Sequence, residues 1–450
     1  MKSQFLIGSI TPGCGKTTFM LGLMRLLQQS QYTVQPYKCG PDDMDAQFHS
    51  WVGNRDSIHL DNWLAGRSHL QYTYNKHGEG ANVCVLDGQM GLFDGYRTYL
   101  GSSAEMASIL RIPVVILVNA RDYGSYSLAP MLYGFKNFYK GIKIAGVVFT
   151  GITSKVQFSY LKLVCSDAGL ECFGYLPYYK DLKFPQRYVG STTITKNETV
   201  AFADQIATDL KTRLDLNKLL QCTQREFPCR YTLPYSSEVE DDTYLSGAPK
   251  LKIAVAQDPA FHPAYRENIE QLSKLGTITY FSPLYGQNEL PEADIYYFPS
   301  GYPELFVRQL HRWRKLMEKI KNFADQGGKI LAEGGGMIFL SDSLSCRFLG
   351  KMYKMVGIFP YEFFGGLKTP ISGYRLIDYN GMKLRGYEYN YASTFPQSRA
   401  SFNRLEEYKV AQSYNLKGDK VHSSLYRYKN VIATPMRLYL GEVDIEKLWL

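Results

Sequence analysis

The sequence predicts an α/β fold with two domains, an N-terminal doubly wound parallel sheet and a second α/β domain. Short apolar runs, of the kind found in strands that are buried on both faces, alternate with amphipathic helical stretches. This alternation is typical of parallel sheets covered by helices. A polar stretch at 221–250, broken by Pro and Gly, interrupts it once and has the composition of a linker. The predicted domains are therefore 1–220 and 251–450.

The elements of the first domain follow one another at regular intervals. Residues 5–10 (FLIGSI) predict a strand, and residues 16–30 predict an amphipathic helix. Four further apolar runs predict strands at 33–39, 82–88, 112–119 and 144–151. The second domain repeats the pattern with predicted strands at 251–257, 278–284, 293–301 and 327–336, and its last part, 355–393, is richer in antiparallel strand patterns.

The overall charge and the cysteines narrow the class of protein. The net charge is +9, but no five basic residues follow one another, which argues against a nucleic-acid-binding tail. A polyanionic small molecule and a merely basic surface both remain open. None of the eight cysteines forms a C-x-x-C pair, so a zinc ribbon or an iron–sulfur cluster has little support. Without a visible signal peptide or long apolar span, we expect a cytoplasmic protein that does not enter a membrane.

The first predicted strand leads into a phosphate-binding loop, which opens the following helix. The segment at 9–18 reads SITPGCGKTT; the strict pattern has Gly where this chain has Ile10. Backbone N–H groups in such a loop bind phosphate, the Lys reaches the β- and γ-phosphates, and the first Thr coordinates Mg²⁺. We therefore predict ATP and Mg²⁺ as cofactors. The predicted nucleotide-binding residues are Gly13, Cys14, Gly15, Lys16, Thr17 and Thr18.

Four aspartates are candidates for work beside this loop. Asp42 and Asp45 follow the second strand, Asp87 ends a later strand, and Asp94 lies seven residues further on. Carboxylates at the carboxyl ends of parallel strands face the crevice where ligands bind, and Mg²⁺ takes one or two of them. The predicted metal ligands are Thr17, Asp42 and Asp87, and the predicted catalytic residues are Lys16, Asp45, Asp87 and Asp94. Alternatively, Asp42 and Asp94 only form turns beside Gly and Pro.

Long segments of the chain resemble the cobyrinate a,c-diamide synthase family. They include KCGPDDMDAQFH, HLDNWLAG and VLDGQMGLFDG in the first half, and LPEADIYYFPSGYPELF and LAEGGGMIFL in the second. The resemblance implies a ligase that uses ATP and Mg²⁺ to phosphorylate the acetate carboxylates of cobyrinate, after which ammonia gives the amide. It also implies a C-terminal domain of the class I glutamine amidotransferase type. The four aspartates match the acidic positions of the family, which usually has Glu at the place of Asp87.

The glutaminase half departs from the family at two positions. Gly334 stands where the family has its cysteine nucleophile, and Asn390 stands where it has the catalytic histidine. Gly cannot form a thioester and Asn cannot activate a thiol, so we predict no glutaminase activity. Ammonia would then be free or supplied by a separate glutaminase. Two other hypotheses about the function remain. The chain could be an amidoligase acting on another tetrapyrrole, such as sirohydrochlorin or a later corrin, or a nucleotide-binding pseudoenzyme that carries corrinoid. The sequence leaves open whether the chain forms a homodimer.

Overall fold

The computed structural model divides the chain into two compact units, Met1–Val239 and Glu240–Leu450. It describes residues 1–180, 195–231, 251–262, 265–286, 289–345, 351–367, 369–394 and 407–450. Both units are α/β, which confirms the predicted fold class. No helix among these residues has the length and apolar character needed to span a bilayer.

The first unit alternates strands and helices along nearly its whole length. Its strands are β1 (Lys2–Ser9), β2 (Val34–Cys39), β3 (Ile58–Leu60), β4 (Val83–Asp87), β5 (Val114–Asn119), β6 (Ile144–Ile152), β7 (Glu171–Pro177) and β8 (Gln224–Arg225). Its helices are α1 (Lys16–Gln29), α2 (Asp43–Gly53), α3 (Arg67–Gly78), α4 (Ser103–Leu110), α5 (Leu128–Phe138), α6 (Lys155–Asp167), α7 (Lys196–Arg213) and α8 (Leu216–Cys222).

The sheet of the first unit has the strand order β3-β2-β4-β1-β5-β6-β7, and every pair along this path is parallel. Strand β1 lies in the middle, where Leu6 pairs with Leu86 of β4 and with Val114 of β5. Alternate residues of β1, Phe5 and Ile7, pack with α1 and α7 in one core. Because all seven strands run the same way, their carboxyl ends form one edge, where ligands bind in such sheets.

Part of the predicted linker belongs to the first unit. Strand β8 pairs antiparallel with β1, and the backbone N–H of Cys229 donates to Asn75 Oδ1 at 2.8 Å. Residues 221–231 are therefore held against the sheet, because main-chain and side-chain hydrogen bonds tie them to it. The rest of the predicted linker, 232–250, lies outside the described residues.

The second unit combines a parallel half with an antiparallel half. Its strands are β9 (Leu251–Ala256), β10 (Gly276–Phe281), β11 (Ile295–Phe298), β12 (Lys329–Glu333), β13 (Ser341–Ser345), β14 (Met352–Lys354), β15 (Phe359–Gly365), β16 (Ile371–Tyr379), β17 (Met382–Asn390), β18 (Ala392–Thr394), β19 (Lys409–Tyr414), β20 (Lys420–Tyr428), β21 (Val431–Thr434) and β22 (Met436–Tyr439). Its helices are α9 (Arg266–Leu275), α10 (Val307–Leu310), α11 (Arg314–Asp325) and α12 (Gly335–Phe339), with 3₁₀ turns at Pro303–Leu305 and Ile445–Trp449.

The larger sheet of this unit has the order β10-β9-β11-β12-β21-β20-β19-β16-β17-β22. Strands β10 to β21 along this path are parallel, and the remaining pairs are antiparallel. A smaller sheet, β14-β13-β15-β18, follows α12. The predicted antiparallel character of 355–393 is present in β16 and β17, which form a hairpin. Strand β12 ends in the middle of the parallel half, at the segment that carries Gly334.

Candidate active site

The phosphate-binding loop connects β1 to α1 and has the backbone that a bound phosphate needs. Gly13 and Gly15 have φ angles of 82° and 83°, which residues with a Cβ rarely adopt. Gly15 is the N-cap of α1 and makes no side-chain cap, so the first N–H groups of the helix are not covered by a side chain. A Cβ added at Gly13 would meet no atom within 4 Å, so the space above the loop is open. These features fit a triphosphate bound at the N-terminus of a helix.

The side chains of the loop fix its position. Lys16 Nζ donates to Ser9 Oγ at 2.8 Å and to the Met90 carbonyl at 2.6 Å, so the lysine curls over the loop toward the segment after β4. The Thr150 hydroxyl, at the end of β6, donates to the Cys14 carbonyl at 2.9 Å. Thr17 and Thr18 lie half-buried in the first turn of α1. The lysine therefore stands where it could contact a phosphate group lying in the loop.

A buried lysine joins two of the predicted aspartates. Lys38 of β2 lies opposite Asp87 of β4 in the strand register. Its Nζ is 2.8 Å from Asp87 Oδ2 and 3.0 Å from Asp45 Oδ2, and all three side chains are buried. Buried charges require such pairing, because desolvating an unpaired ion is costly. Sequence reasoning missed Lys38, although a lysine within a short, largely buried strand was a usable signal.

This cluster adjoins the phosphate-binding loop. The Thr17 hydroxyl donates to Asp45 Oδ1 at 3.3 Å, and His49 Nε2 is 3.6 Å from Asp87 Oδ2. Thr17, Asp45 and Asp87 are therefore gathered at one place. Lys16 lies next to this cluster, because it precedes Thr17 in the chain.

The other two aspartates make local backbone contacts. The Asp42 carboxylate accepts from the Met44 N–H at 3.1 Å and caps α2, while its own carbonyl contacts His59 Nε2 at 2.9 Å. Asp94 Oδ2 accepts from the Gly91 N–H at 2.9 Å, within the loop that supplies the Met90 carbonyl to Lys16. Their placement agrees with the turn-forming alternative, and Asp94 also keeps an exposed position beside the loop.

The residues present fit a magnesium ion that is shared with phosphate. Asp87 Oδ1 is buried and has no hydrogen-bond partner among the described residues, so one carboxylate oxygen is available to a ligand. The Thr17 hydroxyl belongs to the same cluster, because it donates to Asp45 Oδ1. No three His, Cys, Asp or Glu side chains in the described part of the chain form a complete metal site. Mg²⁺ usually takes one or two carboxylates and completes its shell with phosphate oxygens and water.

In the second unit, the structure brings the two substituted glutaminase positions together. Gly334 follows β12 with φ 50° and ψ −117°, and α12 begins at the next residue. A Cβ at Gly334 would lie 3.9 Å from Asn390 Oδ1, so the two positions face each other. The same Cβ would lie 2.9 Å from the Cβ of Ser300, closer than such atoms normally approach. The sharp turn is therefore present without a nucleophile, and Ser300 partly fills the space that a nucleophile would need.

Two glutamates of the second unit are buried with raised pKa values. Desolvation raises the pKa of Glu333 to about 7, although Tyr297 and the Leu438 N–H donate to its carboxylate. Desolvation also raises the pKa of Glu304 to about 7, and Glu304 Oε2 is buried without a partner among the described residues. A raised folded-state pKa means that the carboxylic acid form stabilises the fold. This contribution is complete below about pH 4.5, the ordinary value, and is lost as the pH rises through about 7.

We expect Glu304→Gln to raise the free energy of unfolding at pH 8 by about 2 kcal/mol, because the neutral amide cannot ionise in its buried site. At pH 5 the effect should be much smaller, since Glu304 is then protonated in the folded protein. Thermal unfolding at both pH values measures the difference. Glu318→Gln is the matched control, since Glu318 is an exposed residue of α11. An equal effect of Glu304→Gln at the two pH values would contradict the assignment.

Comparisons with known proteins agree with both halves of this description. Residues 5–189 match the CobQ/CobB/MinD/ParA nucleotide binding domain family, and residues 252–441 match the CobB/CobQ-like glutamine amidotransferase domain family. A cobyrinate a,c-diamide synthase of Caldanaerobacter subterraneus is 30% identical over 94% of this chain and 96% of its own length. Those of Listeria innocua and Streptococcus sanguinis are each 33% identical, over 90% and 91% of this chain and 90% of their own lengths. These matches span both units and confirm the predicted resemblance: the chain belongs to the cobyrinate a,c-diamide synthase family.

Proposed function

We propose that the protein amidates the a- and c-acetate carboxylates of cobyrinate at the expense of ATP, through an acyl phosphate. The observation that carries the proposal is the gathering of Thr17, Asp45 and Asp87 around Lys38, next to the loop that carries Lys16, at the carboxyl edge of one parallel sheet. Phosphoryl transfer needs positive charge and metal-binding oxygens at one place, because negative charge is spread over the transferred group. The names of the relatives supply the substrate class.

The residues of this chain divide the work by their chemistry. The loop N–H groups and Lys16 bind and orient the phosphates, and Lys16 stabilises negative charge during transfer. Asp87 and Thr17 would hold Mg²⁺, which when bound neutralises phosphate charge. Lys38 holds the Asp45 and Asp87 carboxylates in place, because its Nζ lies 3.0 Å from Asp45 Oδ2 and 2.8 Å from Asp87 Oδ2. Asp94, which is exposed and bonded to the Gly91 N–H beside the loop, would meet the incoming substrate or ammonia.

The acyl phosphate explains why ATP is needed. A carboxylate is a poor acyl donor, since its leaving group would be oxide. Transfer of the γ-phosphoryl group of ATP to a carboxylate oxygen breaks the P–O bond between the β- and γ-phosphates and releases ADP. The carboxylate oxygen thereby becomes part of a phosphate leaving group. Ammonia then attacks the carbonyl carbon, the C–O bond to phosphate breaks, and the amide forms with release of a proton and inorganic phosphate.

We further propose that the second unit does not hydrolyse glutamine, so that ammonia comes from solution or from a separate glutaminase. Gly334 carries no nucleophile, and Asn390 donates its amide to the Pro435 carbonyl at 2.7 Å instead of offering a basic nitrogen. Loss of a nucleophile and its base lowers the rate of such catalytic sites by a factor of about 10⁴–10⁶. None of the described cysteines stands at the turn after β12; Cys346 lies outside the described residues.

The nitrogen source is tested by incubating the purified chain with cobyrinate and MgATP, and with either ammonium or glutamine. We expect the corrin to gain amides with ammonium and none with glutamine, as measured by mass spectrometry. Amidation that depends on glutamine without any partner would refute the inactive-glutaminase proposal. Amidation of sirohydrochlorin or a later corrin, and not of cobyrinate, would show that the substrate is another tetrapyrrole. Nucleotide binding with no amidation of any macrocycle would favour a corrinoid-carrying pseudoenzyme.

A further inference from the structure

An exposed group of aromatic rings lies beside the phosphate-binding loop, and the reactions described above do not use it. The group consists of Phe93, Tyr99, Phe135, Phe138 and Tyr139, here called the aromatic platform. The Phe93 ring lies 5.5 Å from Phe135 and 5.1 Å from Phe138, and Tyr99 lies 5.5 Å from Tyr139. Phe138 is 75% exposed and Tyr99 is 43% exposed, so the platform presents ring surface to solvent.

The platform is joined to the active site by one short segment of chain. The Leu92 N–H, next to Phe93, donates to the Ser9 carbonyl at 2.8 Å, where the phosphate-binding loop begins. The carbonyl of Met90, three residues before Phe93, accepts a hydrogen bond from Lys16 Nζ at 2.6 Å. Asp94 follows Phe93 directly. A ligand lying on the platform could therefore extend a side group toward Lys16.

The charge around the platform is complementary to a polycarboxylate. Residues 123–143, which include α5, carry no Asp or Glu. Lys140 and Lys143 of this segment are exposed, whereas Lys136 Nζ donates to the Gly169 carbonyl at 2.6 Å. Residues 95–104 carry Arg97 and no acidic residue. Asp94 is thus the one acidic residue in 88–104 and 123–143 taken together. Partly exposed aromatic rings that are close in the chain to exposed Arg97 and Lys140 suit a flat macrocycle whose rim bears carboxylates, through stacking and charge attraction.

We propose that the aromatic platform binds the face of a carboxylated tetrapyrrole-type macrocycle while one of its carboxylates reaches Lys16. The proposal rests on the proposed function for the identity of the substrate. It adds the surface that selects a macrocycle over a smaller carboxylic acid. A second copy of this chain is the competing occupant, because exposed aromatic faces also mediate self-association.

The test compares Tyr99→Ala/Phe138→Ala with the full wild-type chain, using cobyrinate as the probe in equilibrium dialysis. Both rings are exposed, so their removal should leave the fold intact. Tyr133→Ala is the matched control, since Tyr133 is an exposed ring of α5 that lies on a different side of the helix from Phe138. We expect the double variant to weaken cobyrinate binding by about tenfold or more, with nucleotide binding unchanged and Tyr133→Ala within about twofold of wild type.

The outcomes separate the platform from the proposed function. Wild-type binding of cobyrinate with an equal Kd for the double variant would overturn the platform and leave the proposed function standing. A wild-type dimer that the double variant splits, with cobyrinate affinity unchanged, would assign the rings to self-association instead. If the wild-type chain binds no carboxylated corrinoid at all, both the platform and the proposed function fail.

Discussion

Lys16→Ala should lower ATP-dependent amidation by a factor of about 10³ or more, because it removes the cation that stabilises charge on the transferred phosphoryl group. The fold should remain intact, since Lys16 is half-buried and its hydrogen bonds at 2.8 and 2.6 Å go to a hydroxyl and a carbonyl, which are neutral groups. Initial rates of amide formation with saturating ammonium, together with thermal unfolding, measure both expectations.

The matched control is Lys155→Ala. Lys155 is exposed and, like Lys16, is the first residue of a helix that follows a strand of the same sheet. Its removal should leave the rate unchanged, because it lies outside the phosphate-binding loop. Turnover by Lys16→Ala equal to that of Lys155→Ala would contradict the assignment of the loop.

Lys38→Met should remove turnover and also destabilise the first unit, by about 3–5 kcal/mol, because it leaves two buried carboxylates without their cation. The shared contacts at 2.8 and 3.0 Å make Lys38 the counter-ion of both Asp87 and Asp45. Thermal unfolding of the first unit and the amidation rate report the two effects separately.

Adding Asp87→Asn to Lys38→Met should restore part of the lost stability, since one of the unpaired charges is then removed. It should not restore activity, because a neutral amide replaces the carboxylate that would bind the metal. A Lys38→Met variant with wild-type stability would show that the three buried groups do not carry the charges assigned to them. Recovered activity in the double variant would show that Asp87 has no part in catalysis.

Much of the first unit could be predicted because its signals are local. Continuous apolar runs specify buried parallel strands, and a Gly-rich loop between strand and helix specifies a phosphate site. The carboxyl edge of the sheet then follows, which is why Asp87 could be placed near the loop. Lys38 could not be placed this way, since its role depends on strand register: β2 must pair with β4 so that Lys38 lies opposite Asp87. No pattern within either strand encodes that pairing.

The aspartates in turns show a second limit of the sequence. Asp42 and Asp45 are three residues apart, yet Asp42 caps α2 while Asp45 faces Lys38 and Thr17. The difference arises from where α2 begins, and helix boundaries are among the least certain predictions from sequence. The metal role predicted for Asp42 stays a prediction, whereas its capping contact is a plain feature of the structure.

In the second unit, the substituted positions could be found from sequence motifs, but their surroundings could not. The motif comparison indicates Gly334 and Asn390, and the structure places them face to face. Ser300, which crowds the position of the missing nucleophile, lies in the loop after β11 and is recognised only in three dimensions. The predicted linker shows the same effect, since β8 is too short to have a pattern of its own and is defined by its pairing with β1.

We propose that the site around Lys16 and Asp87 activates a carboxylate by phosphorylation. The most direct measurement uses cobyrinate labelled with oxygen-18 in its carboxylates, incubated with MgATP and ammonium, followed by mass spectrometry of the inorganic phosphate. If an acyl phosphate forms, we expect one labelled oxygen in the phosphate for each amide formed, because the carboxylate oxygen leaves with the transferred group. Amide formation with no label in the phosphate would contradict it.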